Sequence, residues 1–273
     1  MAPSSQVLKA FIGFGLLACL FTWICWLPLA FIPGAAASPL RYLHLIGSLG
    51  PALAGIICTG LCGGRPALRQ LRQRLLLWRV PWPWHAAVWF GPFLLLAIAE
   101  IAAFGWAAGD PRSWLTRSAE YPALPLAAYW AATLVFYGFG EEIGWRGFAL
   151  PLLQTRLHPV LATLLVSGLW ALWHWPLFLF SPGLSTLDAP GVVGWLFSLV
   201  TGAFLLTTIV NRTGGSLLLA AGFHATMDIA FLGPAPVMMI VGALTTLLGV
   251  LAVVDCLRRG KSPLHRVTLS SCR

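Results

Sequence analysis

Between residues 138 and 147 the chain reads Gly-Phe-Gly-Glu-Glu-Ile-Gly-Trp-Arg-Gly, which sets Glu141, Glu142 and Arg146 inside a hydrophobic run. A charge near the centre of a bilayer costs at least ~2.5–3.5 kcal/mol on insertion scales, so such a cluster calls for a function. Glu142 and Arg146 are four apart and share a helix face, whereas Glu141 points about 100° away. Arg146 is therefore expected to neutralise Glu142 as structural support, and Glu141 is left to act on something else. Gly140, Gly144 and Gly147 form a small-residue stripe that lets another helix backbone come close.

His174, His224 and Asp228 also fall in apolar stretches. His224 and Asp228 are four apart, on one face. Glu141 and His174 lie symmetrically about a turn near Leu157 and His158, so an antiparallel hairpin of their helices brings them to one level. At 1.5 Å per residue, His224 and Asp228 stand roughly 15 and 21 Å along their helix from Gly214, and His174 roughly 22 Å from Pro159. A Glu, two His and an Asp converging in mid-membrane can activate a water as general base, stabilise an oxyanion, or bind a divalent metal. A Zn²⁺ held by Glu141, His174, His224 and Asp228, with a bound hydroxide, would do several of these together. Hydrolysis is the natural chemistry. Each histidine alone reads as a hydrogen-bonded core residue; the four together read as a site.

The elements that must position these residues are membrane helices. The chain has 273 residues, 59% hydrophobic and 9% charged, and its mean hydropathy of +0.84 excludes an ordinary soluble domain. Its net charge of +9 does not point to nucleic acid, because Lys and Arg gather at the ends of apolar segments as the positive-inside bias requires. The apolar runs predict an all-α integral membrane protein of about eight transmembrane helices. They lie near residues 8–32, 42–61, 84–108, 122–153, 158–180, 191–210, 216–232 and 237–257, with the polar site between the fourth, fifth and seventh. The first is longer than a secretory h-region of roughly 7–15 residues, so it reads as an uncleaved helix. The fourth is expected to tilt, or to break near Pro151. Residues 1–273 read as a single polytopic domain.

With the N-terminus inside, thirteen basic residues fall on the cytoplasmic face, among them Lys9 and Arg65, Arg69, Arg72, Arg74 and Arg79, against Arg41, Arg112 and Arg117 outside. Both termini and the basic linker at 65–79 are therefore expected to be cytoplasmic, the linker anchoring topology at anionic headgroups. Glu100, in the third span, reads either as a snorkelling residue or as a partner lying behind the site. The six cysteines show no metal-site pairing and read as small apolar fillers.

The three charged motifs, Glu141-Glu142-x-x-x-Arg146, Trp170-x-x-x-His174 and His224-x-x-x-Asp228, resemble those of the CAAX-protease and bacteriocin-processing family of intramembrane proteases over about residues 122–255. The family pattern has Phe where Trp170 stands, and its prenyl-protein endopeptidases have Asn where Asp228 stands. An ionised Asp accepts hydrogen bonds but cannot donate them. The resemblance implies an eight-helix intramembrane endopeptidase in a bacterial inner membrane, acting on membrane-associated peptides or proteins among membrane lipids. It implies Glu141 and His174 as the water-activating pair, and His224 with Asp228 as stabilisers. A non-catalytic binding or bacteriocin-immunity module on the same fold is the competing reading. An intramembrane aspartyl protease would need two aspartates, and only Asp228 lies deep in a span; motifs for rhomboid-like serine and site-two zinc proteases are missing.

Overall fold

The computed structural model describes residues 5–105, 118 and 120–258. Asp110, Arg112, Arg117 and the tail with Arg259, Lys261, His265, Arg266, Cys272 and Arg273 lie outside the described residues. Every regular element among those described is helical: α1 (Ser5–Phe31), α2 (Tyr42–Gly47), α3 (Gly50–Leu75), α4 (Trp82–Trp89), α5 (Gly91–Phe104), α6 (residues 126–154), α7 (Pro159–Trp173), α8 (Ala189–Arg212), α9 (Leu217–Ala230) and α10 (Ala235–Arg258).

Among the described residues, five stretches are long and apolar enough to cross a membrane: α1, α2 with α3, α7 with the turn after it, α8 and α10. There are six if α4 and α5, bent by 44°, count as one. The eight expected spans are not all of this kind. The fourth corresponds to α6, where the buried charges sit and where π-helical turns at Thr133–Phe139 and Trp145–Ala149 interrupt the α-helix. The seventh corresponds to α9, whose 14 residues reach only ~21 Å at 1.5 Å per residue. The expected break at Pro151 takes the form of the second π-turn just before it, and the chain continues as helix through Leu150–Gln154.

Proline explains much of the local irregularity. It has no N–H to return to the carbonyl four residues earlier, so that carbonyl is without the donor a continuing helix would supply. A side chain from another helix supplies the donor in three such cases. Thr22 Oγ1 donates to the Gly47 carbonyl ahead of Pro51 at 2.7 Å, and Thr226 Oγ1 lies 2.9 Å from the Val88 carbonyl ahead of Pro92 and 2.8 Å from the Gly222 carbonyl of its own helix, one proton serving both. Arg74 Nη1 donates to the Gly147 carbonyl ahead of Pro151 at 2.9 Å. Arg74 also donates from Nη2 to the Arg146 carbonyl at 2.7 Å and from Nε to the Gly215 carbonyl at 3.0 Å. This corrects the expectation for the basic linker at one position. Arg65, Arg69, Arg72 and Arg79 are exposed, but Arg74 is buried and staples α3 to α6 and to the turn before α9.

The core lies where α1, α3, α6 and α7 meet, around Phe14, Trp26, Trp145, Phe148 and Trp173. Trp23 Nε1 donates to the Trp173 carbonyl at 3.0 Å while Trp173 Nε1 donates to Thr22 Oγ1 at 2.7 Å, so α1 and the end of α7 are fastened in both directions. The glycine stripe of α6 meets the start of α3: a Cβ on Gly144 would stand 2.3 Å from the Pro51 carbonyl oxygen. On the other side, a Cβ on Gly138 would stand 2.5 Å from the Ala221 carbonyl of α9. Backbones this close draw α6 between α3 and α9. Cys19, Cys25, Cys58 and Cys256 are free thiols, three of them buried, whereas Cys62 is disulfide-bonded and so departs from the filler reading.

Candidate active site

The two adjacent glutamates separate as their helix positions require. Glu142 is fully buried and accepts from Arg146 Nη1 at 3.0 Å, with Arg146 itself 1% exposed. His224 Nδ1 lies 2.9 Å from the same oxygen, Glu142 Oε1. A carboxylate oxygen accepts, so this nitrogen carries the proton. Glu142 therefore holds a site histidine as well as its own arginine, a link that spacing along α6 could not reveal.

Glu141, 4% exposed, has a different partner: Trp170 Nε1 on α7 donates to its Oε2 at 2.7 Å. The Arg146 guanidinium lies over the Trp170 ring at 4.7 Å, within range of a cation–π contact. One turn further along, His174 Nδ1 lies 2.8 Å from the Trp170 carbonyl. A carbonyl only accepts, so Nδ1 carries a proton, and in the neutral ring Nε2 keeps its lone pair. His174 is boxed by the rings of Trp170, Trp173 and Trp195, with centroids 5.4, 4.8 and 5.7 Å away.

A cavity of about 320 Å³ opens among α7, α8, α9 and α10. His174, His224 and Asp228 line it together with Trp170, and Trp195, Phe223 and Phe231 supply apolar wall. The buried Asp228 Oδ2 has no hydrogen-bond partner among the described residues. The structure thus brings His174, His224 and Asp228 to one wall. Glu141 is not among the lining residues; Trp170, which both lines the cavity and donates to Glu141, connects them. Glu100 on α5 is not among the lining residues either.

A divalent metal was one chemistry open to this residue set. Among the described residues, no three His, Cys, Asp or Glu side chains are grouped so as to hold one ion. The Nδ1 contacts to the Trp170 carbonyl and to Glu142 would leave each Nε2 open to an ion, but Glu141 is turned to the indole and, among the described residues, no third ligand stands with the two rings. As placed, the residues do not fit a metal, and no step below is routed through one.

Sequence reasoning missed a second polar group beside the first. His44 Nδ1 is paired with Glu120 Oε1, to which Tyr121 OH also donates at 3.0 Å; the Tyr137 hydroxyl stands 3.3 Å from Tyr121 OH. Arg41 Nη1 donates to the Glu120 carbonyl at 3.3 Å. Tyr137 is one turn before Glu141 on α6, a spacing that was visible in the sequence; the reach of Glu120 across the intervening loop was not.

Residues 123–230 match a family model described as type II CAAX prenyl endopeptidase Rce1-like. Over that stretch the chain is similar to the Rce1-like family. The stretch contains all three charged motifs and runs from just before α6 to the end of α9. No curated protein matches the chain. The apolar helices around this segment mark an integral membrane protein, and the segment itself is similar to a protease family.

Proposed function

We propose that the chain is an intramembrane endopeptidase that hydrolyses peptide bonds of membrane-associated peptides or proteins, with Glu141 as general base. The observation that carries this reading is the family match over 123–230, which takes in Glu141, His174, His224 and Asp228 together. Three of the four share one cavity, and the fourth is one indole away.

In the reaction, a water between Glu141 and His174 Nε2 gives up a proton to Glu141 as its oxygen bonds to the substrate carbonyl carbon. The carbonyl oxygen becomes an oxyanion. His224, in the form that carries a proton on both ring nitrogens, donates from Nε2 to that oxyanion while Glu142 balances its charge at Nδ1. The proton then passes to the amide nitrogen, the C–N bond breaks, and a carboxylate and an amine leave. Asp228 accepts a hydrogen bond from the substrate or from the second water that replaces the first. A positioned general base typically contributes about 10²–10⁴-fold to such a step.

The same reading has eight spans, with α6 and α9 as the two that cross in a protein-lined interior, since irregular backbone is tolerated in a membrane where protein covers it. It makes residues 122–255 the protease core within a single domain, and places the protein in a bacterial inner membrane with both termini cytoplasmic. Proteomics on membranes holding the wild-type chain or Glu141→Gln tests the function. A peptide released only with wild type is the expected result; identical peptide sets in the two membranes would leave the non-catalytic binding module as the better description.

A further inference from the structure

We propose that Trp170 is the positioning residue of this site, setting which oxygen of Glu141 and which nitrogen of His174 face the reacting water. This deepens the hydrolytic reading and rests on it. Trp170 makes three contacts that no other residue near the site combines. Its indole N–H holds Glu141 Oε2 at 2.7 Å, so that Oε1 is the oxygen left to take a proton. Its carbonyl holds His174 Nδ1–H at 2.8 Å, which fixes the tautomer with a free Nε2. Its ring plane is itself fixed, with the Arg146 guanidinium over the ring at 4.7 Å and the His224 ring edge-on at 5.8 Å.

The backbone carbonyl survives any substitution at 170, but the N–H does not. Phenylalanine keeps a flat ring in the cavity wall and removes only the donor. The Trp170 N–H matters because a carboxylate with two free oxygens samples several rotamers, and only a tethered one keeps a base aligned with a water in the cavity. A hydrogen bond to a charged group contributes roughly 1.5–3 kcal/mol, which corresponds to about a ten- to a hundredfold effect.

The test uses the full chain in lipid nanodiscs and compares wild type with Trp170→Phe. The first readout needs no substrate: labelling of carboxyl groups by the membrane-soluble dicyclohexylcarbodiimide, mapped by mass spectrometry. Released from the indole, Glu141 is expected to label about ten times faster in Trp170→Phe, while Glu142, held by Arg146 and His224, stays unlabelled in both. Equal labelling of Glu141 in the two proteins overturns the proposal, and so does a joint rise at Glu141 and Glu142, which would mark general loosening. The second readout is turnover of the peptide found in the Glu141→Gln comparison, with kcat expected to fall about ten- to a hundredfold at unchanged KM; wild-type kcat in Trp170→Phe overturns the role. If no peptide is ever cut, the hydrolytic reading fails while the labelling still decides the tether. Should Trp170→Phe not fold, benzothienylalanine at position 170 keeps the bicyclic shape without the N–H, and faster or unchanged labelling of Glu141 decides the tether in the same way.

Discussion

At the scale of single residues, Glu141 and Glu142 are neighbours in sequence with opposite assignments, and their Gln variants are expected to fail differently. Glu141→Gln keeps a group that can still accept from the Trp170 indole, so the protein is expected to melt near wild type while turnover falls about 10²–10⁴-fold. Glu142→Gln strips the charge from a site shared by Arg146 and His224, and an orphaned buried charge costs on the order of 3–5 kcal/mol. Thermal unfolding in detergent is expected to show that loss, and Glu142→Gln with Arg146→Met to recover part of it. Near-normal turnover in Glu141→Gln, or a fully stable but inactive Glu142→Gln, would reverse the two roles. The Glu142–Arg146 pair was legible because both partners sit on one helix, four residues apart. The Glu142–His224 and Glu141–Trp170 bonds were not, because each joins helices whose relative rotation no spacing fixes. Trp170 was legible only as an aromatic in a motif; its N–H gained meaning once α7 faced α6.

At the scale of elements, the apolar runs announced α1, α8 and α10 nearly residue for residue, because an unbroken hydrophobic helix advertises itself. At α6 and α9 the runs placed the helices to within a few residues but did not show the π-turns of α6 or the shortness of α9. There the sequence mixes charge, glycine and small polar residues, and backbone irregularity is set by partners from elsewhere in the chain. The proline-freed carbonyls make the same point: Pro51, Pro92 and Pro151 could be read as break points, but Thr22, Thr226 and Arg74 could not be read as their compensations. Thr226→Val is close in shape and removes the hydroxyl that Val88 shares with Gly222 at the bend between α4 and α5. Stability is expected to drop by about 1–3 kcal/mol, measured as a lower melting temperature in detergent. The same change at an exposed threonine such as Thr186 is expected to leave it unmoved.

At the scale of the whole molecule, orientation rests on the basic residues, and Gln73, exposed among the linker arginines, reports it. With native cysteines removed, a cysteine replacing Gln73 is expected to stay unlabelled by a membrane-impermeant thiol reagent in intact cells and to react once they are opened. Reaction in intact cells would invert the topology. At the opposite end of that arrangement stands Glu120. Burial alone would push its carboxyl up, but the charge and hydrogen bond of His44, with the Tyr121 hydroxyl and the Arg41 guanidinium, together hold it below its ordinary value. A carboxyl lowered on folding stabilises the fold above its unfolded value of about 4.3 and loses that contribution as pH falls through the folded value. Wild type is thus expected to melt above Glu120→Gln at about pH 6, and the gap to close on acidification towards about pH 3; a gap constant across that window would remove Glu120 from the account. Arg74 carries a last consequence, one of timing. Its acceptors at Arg146 and Gly147 follow it by 72 and 73 residues and that at Gly215 by 141. At about 5–20 residues per second of synthesis, the last of them emerges roughly 7–28 s after Arg74 itself. Through that interval the end of α3 has to wait at the water-facing surface with its guanidinium hydrated, and the helix locks into place only when the turn before α9 arrives.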